Sequence, residues 1–258
     1  MVILHIIDTK MDIHTDLLMD TRVFQKCILE EDGVSLFHAS KDKNHYSTIG
    51  FIDITDKDQR SIASKYLIRE LKDYINKKSK ILIVGLGNRD STPDALGPKT
   101  LDKILVTRHL FSFGDVEDGY SCVSIFEPNV FGSTGINSVE LIKKVVELVN
   151  PEVVIIIDSL CTSSMERLNH TIQITDSGIS PGSGVFNDRG ELSSNTLGCC
   201  VIAIGVPTVV DINALLNNKS IEDMIVTPKD IDSFIDNITY VIGDSINKVL
   251  HESYISTK

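Results

Sequence analysis

The run Val153-Val154-Ile155-Ile156-Ile157 has no polar face. Alternate residues of a strand point to opposite sides, so a strand this uniformly apolar is buried on both. That is the signature of a parallel strand with helices above and below it. A second run, Ile81 to Val84, has the same character and ends on glycines, in Gly85-Leu86-Gly87-Asn88. A polar loop follows it, and Pro98 then suits the first turn of a helix.

From residue 81 onward strands and helices alternate. The spacing predicts a strand over 81–86, a helix near 98–109, a strand over 121–127 and a helix over 138–149 stopped by Asn150-Pro151. A strand over 153–157, ending at Asp158, and two more over 171–175 and 201–210 come next. The last element is an amphipathic helix over 229–251, with Ile231, Phe234, Ile235, Ile238, Val241, Ile242, Ile246 and Val249 on one face. Upstream, 33–40 and 46–54 read as a hairpin closed by a loop of several residues, Lys41 to His45. A helix over 58–77 follows, buried through Ile62, Tyr66, Leu67, Leu71, Tyr74 and Ile75. Residues 1–32 show no clear period, and 213–223 reads as a mobile surface connection. The fold class is therefore α/β: a mostly parallel central sheet flanked by helices, with an N-terminal β-hairpin. At 258 residues the chain can bury a full core.

Charge narrows the function. With 25 basic and 36 acidic residues the net charge is −11, which argues against unaided binding to nucleic acid or to an anionic membrane. Five cysteines without a C-x-x-C predict reduced, buried thiols rather than a disulfide frame or a zinc site. The N-terminus has no basic region of a signal peptide, and no apolar run reaches bilayer length, so the expected location is cytoplasmic.

Four acids follow apolar runs: Asp94, Asp158, Asp176 and Asp211. Parallel strands end on one edge of a sheet, where ligands gather in open α/β folds. Two carboxylates meeting there share a proton; one activates water while the other donates to a carbonyl oxygen. An acid after a strand is also a common cap or turn residue, and spacing alone does not choose the pair. Rival motifs are weaker. Gly85-Leu86-Gly87 lacks the third glycine of a dinucleotide loop. Gly182-Ser183-Gly184 is not a G-x-S-x-G elbow, and its glycines suit a tight turn near a ligand. The seven histidines show no metal-binding spacing, and no cofactor is expected.

At these residues the chain resembles the germination protease family of spore-forming bacteria. The likeness runs from about Asp12 to about Glu252. It is carried by VGLGN at 84–88 with TPDALGP at 92–98, VTRHLF at 106–111, GSTGI at 132–136, IDSL at 157–160, TIQITDSGISPGSGV at 171–185 and VIAIGVPTVVD at 201–211. The resemblance implies an atypical aspartic peptidase with Asp94 and Asp158 as its two essential aspartates, on a fold like that of hydrogenase-maturation peptidases. It implies a zymogen whose propeptide, residues 1–16, is cut away between Asp16 and Leu17, leaving 17–258 as a single peptidase domain. It implies a homotetramer in the developing forespore and spore core. Its substrates would be small acid-soluble spore proteins, cut after an acidic residue and before an apolar one. Gly87, Asn88, Gly182, Ser183 and Gly184 are the candidate oxyanion and substrate-loop residues. Phe186 stands where the family pattern has a glycine. The alternatives are a metal-dependent maturation-type peptidase of the same fold and a noncatalytic binding protein.

Overall fold

The computed structural model describes residues 17, 18, 25–75, 79–114, 116, 118–181, 190–213 and 224–254. Among them one mixed sheet contains β1 (Gln25–Glu31), β2 (Val34–Lys41), β3 (Asn44–Gly50), β4 (Lys80–Gly85), β5 (Cys122–Phe126), β6 (Val153–Thr162), β7 (Thr171–Thr175), β8 (Cys200–Asp211) and β9 (Ile225–Val226). The order is β1-β2-β3-β7-β8-β6-β4-β5, with β9 on the far end of β8. The block β8-β6-β4-β5 is parallel. The other wing, β1-β2-β3-β7, is antiparallel throughout and joins β8 through β7.

Two apolar layers sandwich the parallel block. Ile81, Ile83, Ile155, Ile157, Ile202 and Ile204 face α1 (Lys57–Tyr74) and the last helix, α7 (Ile231–Leu250). Leu82, Val84, Val154, Ile156 and Val201 face the other way, against Val139, Ile142 and Val146 of α5 (Ser138–Val149). The wholly apolar runs are thus buried on both sides, as their composition demanded. The helix starts follow local chemistry. The Asp56 carboxylate accepts the N–H groups of Asp58 and Gln59, and Asn137 accepts that of Val139. Asn150, at φ 51°, closes α5 in the left-handed conformation just before Pro151. One acid lies on the buried face of α1: Glu70, held by the Ser47 hydroxyl at 2.6 Å and by His38 Nε2 at 2.8 Å.

Several expectations need correction. The N-terminal hairpin is a three-stranded meander, because β1 precedes it. Its first turn is Asp32-Gly33, both with positive φ, which is the residue pair that a two-residue hairpin turn selects. The second turn is Asp42-Lys43, also both left-handed, not a loop of several residues. The helix near 98–109 is two short ones, α2 (Leu96–Leu101) and α3 (Arg108–Phe113). Between them the backbone is drawn to its neighbours. Asn247 takes the Leu105 N–H at 2.9 Å and donates to the Lys103 carbonyl at 2.8 Å. Thr107 Oγ1 donates to the Ser121 carbonyl at 2.6 Å and accepts from Val123 N–H at 2.9 Å. These bonds replace the i to i−4 ladder there. Strand β6 runs on through Asp158 to Thr162. The cysteines are free, but only Cys161 is buried; Cys27 and Cys200 are exposed. Most of the expected connection at 213–223 lies outside the described residues.

Candidate active site

The loop after β4 is built by close backbone approach. Leu86 N–H donates to the Ile157 carbonyl at 2.8 Å, which carries the β4–β6 pairing to the residue before Asp158. A side chain on Gly85 would strike the Gly97 carbonyl group at 2.6 Å, and one on Gly97 would strike the Leu86 carbonyl oxygen at 2.3 Å. The start of α2 therefore packs backbone to backbone against the end of β4. Gly87 has φ +113°, and a Cβ there would lie 2.0 Å from the Asp94 carbonyl oxygen. Only glycine meets both demands.

Asp94 ends the 3-10 turn Thr92–Asp94, which packs against β6, β8 and α7. Asn88 N–H donates to the Asp94 carbonyl oxygen at 3.0 Å and to its carboxylate at 2.9 Å. That N–H is turned to Asp94 itself, so it orients the acid. Burial pushes the Asp94 carboxyl up to about 6, against the opposing pull of the Asn88 hydrogen bond. The cause is desolvation rather than a neighbouring like charge.

Asp158 lies inside β6, is 8% exposed, and accepts the Ser159 N–H at 2.9 Å on Oδ1. By the pleat it shares a face with Val154 and Ile156, the face α5 covers further down the strand. Its register partner on β8 is Gly205, where a Cβ would strike Leu160 Cδ1 at 2.4 Å. The same apolar layer includes Leu192 and Ile179, whose backbones pair and close the base of the glycine-rich loop. Gly182, Ser183, Gly184 and Phe186 lie outside the described residues, as does Asp16.

Strand direction separates the four acids. Because β7 runs against β8, Asp176 falls at the opposite edge, where its Oδ1 accepts the His45 N–H at 2.7 Å and ties β7 to the hairpin. Asp211 is six residues beyond the level of Asp158 on β8, about 20 Å along the strand, and caps Asn213 N–H at 2.8 Å. Asp94 and Asp158 alone among the four share the neighbourhood of the β4–β6 ends.

Sequence reasoning passed over the clamp on the Asp94 loop. Arg89 donates to Glu127 at 2.6 and 3.2 Å, to Asp102 at 2.8 and 3.2 Å, and to the Pro98 carbonyl at 3.0 Å. These partners hold its guanidinium firmly protonated. An arginine inside a loop that also carries a candidate acid was the available signal. Among the described residues no group of three or more His, Cys, Asp or Glu side chains is placed to hold a metal ion. None of their helices is long and apolar enough to cross a membrane.

The sequence model described as germination protease matches residues 19–223. This chain belongs to the germination protease family. The germination protease of Clostridium tetani is 35% identical over 277 aligned positions, covering 89% of this chain and 84% of its own length. That of Priestia megaterium is 47% identical over 180 positions, covering 66% of this chain and 49% of its own. That of Oceanobacillus iheyensis is 45% identical over 192, covering 71% and 52%. The chain thus spans about half the length of several germination proteases it matches. Among solved structures, a [NiFe] hydrogenase maturation protease from Thermococcus kodakarensis aligns with a TM-score of 0.38 at 14% identity, over 69% of this chain and 99% of that one.

Proposed function

We propose that the chain is an endopeptidase of spores that hydrolyses small acid-soluble spore proteins, with Asp94 and Asp158 as its acid–base pair. The observation that carries the reading is the meeting of these two acids' segments at the β4–β6 ends, one acid with its pKa pushed up to about 6 by burial. Below that pH Asp94 holds a proton and donates it to the scissile carbonyl oxygen as charge develops there. Asp158 takes a proton from the attacking water. Collapse of the tetrahedral intermediate passes the Asp158 proton to the leaving amine and returns a hydroxyl proton to Asp94, so both acids regain their starting states. Gly87 and the loop of Gly182, Ser183 and Gly184 are the backbone donors proposed for the oxyanion.

The chain is proposed to be made as a zymogen cut between Asp16 and Leu17, to act as a homotetramer and to work in the forespore and spore core. The test is incubation of the purified chain with an acid-soluble spore protein at mildly acid pH, with every new terminus read by mass spectrometry. Expected are cuts after acidic and before apolar residues, and loss of residues 1–16 from the enzyme itself. Absence of any cut in the spore protein overturns the reading.

A further inference from the structure

Leu17 and Leu18 lie inside the domain, 1% and 6% exposed. The Leu18 backbone N–H donates to Gln173 Oε1 at 2.8 Å. Gln173 is itself buried, in the middle of β7. It is the register partner of Gly205 on β8, and Gly205 is the register partner of Asp158 on β6. Ile172 and Ile174 point into the α1–α7 layer, so Gln173 points to the opposite face of the sheet, the face that carries Asp158. Gln173, Gly205 and Asp158 therefore form one cross-strand row. Leu160 lies over Gly205 and gives the row an apolar floor. Two strand spacings, about 10 Å, separate Gln173 from Asp158.

A buried amide oxygen that takes a main-chain N–H fixes the register of a bound chain without reading its side chains; Leu18, which makes that bond here, stands in a 3-10 turn. Two consecutive leucines of this chain already sit there. We infer that Gln173 is a substrate-positioning residue: it accepts the main-chain N–H of the second residue after the scissile bond. The pockets holding Leu17 and Leu18 take the first and second residues of the departing segment. This rests on the peptidase reading above and deepens it: the substrates are peptides with two successive apolar residues after the cut. Leu17 and Leu18 compete for the same places, so bound substrate displaces them.

The test pairs a substrate change with a protein change. One short peptide carries an acidic residue followed by two leucines. Its twin has an ester in place of the amide between those leucines, which deletes the one N–H in question and leaves the scissile amide intact. The wild-type chain is expected to lose about fivefold in kcat/KM on the ester, the scale of one neutral hydrogen bond. Gln173→Met is expected to lose as much on the amide peptide and nothing further on the ester. An ester penalty that persists undiminished in Gln173→Met, or its absence in the wild-type chain, overturns the assignment of Gln173 while leaving the peptidase reading intact. Failure of the wild-type chain to cut the amide peptide, and acid-soluble spore proteins as well, overturns the peptidase reading and this inference with it.

Discussion

Asp94 and Asp176 look alike in the sequence, each an acid just beyond an apolar run, yet the fold treats them differently. Asp94 stands over the parallel block, in a loop so tight that glycines alone fit it, and burial lifts its pKa to about 6. Asp176 stands at the opposite edge of the antiparallel wing, exposed enough to serve as an anchor for the His45 backbone. The lesson is that strand direction, which no single strand's residues encode, decides whether such an acid is gathered with others at one edge or left to brace its neighbours. Parallel pairing gathers chain ends from distant positions at one edge. Antiparallel pairing sends successive ends to opposite edges, where they are useful mainly to one another.

The sharpest way to break this contrast is to substitute acids from both regions. Asp94→Asn and Asp158→Asn are each expected to lower kcat on a spore-protein substrate at least 100-fold, the lower range for removing a general acid or base. Asp176→Asn and Asp211→Asn are expected to stay within about threefold once stability is matched. Circular dichroism and thermal melts establish that all four fold. Retained turnover in Asp158→Asn would end the pair mechanism.

Glycines give the second contrast, read in stability. Gly87→Ala places a methyl against the Asp94 carbonyl oxygen at a backbone angle side chains rarely adopt. It is expected to cost at least about 3 kcal/mol by urea unfolding, or to fold with the loop displaced and activity lost. Gly114→Ala has a similarly positive φ, +78°, at the end of α3, but no atom within 4 Å of the new methyl. Its cost should be about 1 kcal/mol, the conformational term alone. Equal costs at the two sites would show that close approach is not what demands glycine after β4.

Much of this was legible in advance. The β-branched runs announced the parallel block, since a strand apolar on both faces has nowhere else to go. Helices α5 and α7 followed from apolar spacing and from Asn150-Pro151. Other features depended on partners the chain meets only when folded. Asn247, distant in sequence, and Ser121 and Val123, through Thr107, break the helix near 98–109. Strand β1 was missed although Asp32-Gly33 is a strong hairpin signal, because Gln25 to Glu31 alternates weakly and stays half exposed. At the site, the four acids were visible but their sorting was not. Choosing among them from the residues alone would have required knowing that β7 reverses. Arg89 and Gln173 were invisible as functional residues because their partners lie 9 to 155 positions away.

The third test uses pH. The folded-state pKa of Asp94, about 6, lies above the value of about 3.9 for an unfolded aspartate. Its protonated form is favoured by folding. That contribution is fully present below about pH 4 and is lost as pH rises through about 6. At pH 7 the buried charge therefore works against the fold. Asp94→Asn should raise stability there by about 2 kcal/mol, a figure discounted for the partial exposure of the carboxylate. The gain should vanish below about pH 4. In the wild-type chain kcat/KM should fall above about pH 6, as Asp94 loses the proton it is proposed to donate. A stability gain independent of pH would mean that Asn improves packing and that burial does not hold the acid protonated.

The smallest effect separates positioning from stability at the Asp94 loop. Arg89 reaches Glu127 and Asp102 at once because a planar guanidinium presents its donors as a fork; an ammonium cannot span both. All three side chains are partly solvated, so Arg89→Lys should cost no more than about 1 kcal/mol of stability. The loop it clamps carries Asp94, however, and a small displacement of a proton donor costs more in rate than in folding. The expected outcome is a melting temperature within a few degrees of wild type with kcat down by about tenfold and KM little changed. The comparison substitution, Lys65→Met, breaks a more exposed ion pair between α1 and Glu31 of β1. It should move neither quantity beyond about 0.5 kcal/mol. If the two substitutions behave alike, the clamp is a surface ion pair like any other, and the precise seat of Asp94 owes itself to the glycines and Asn88 alone.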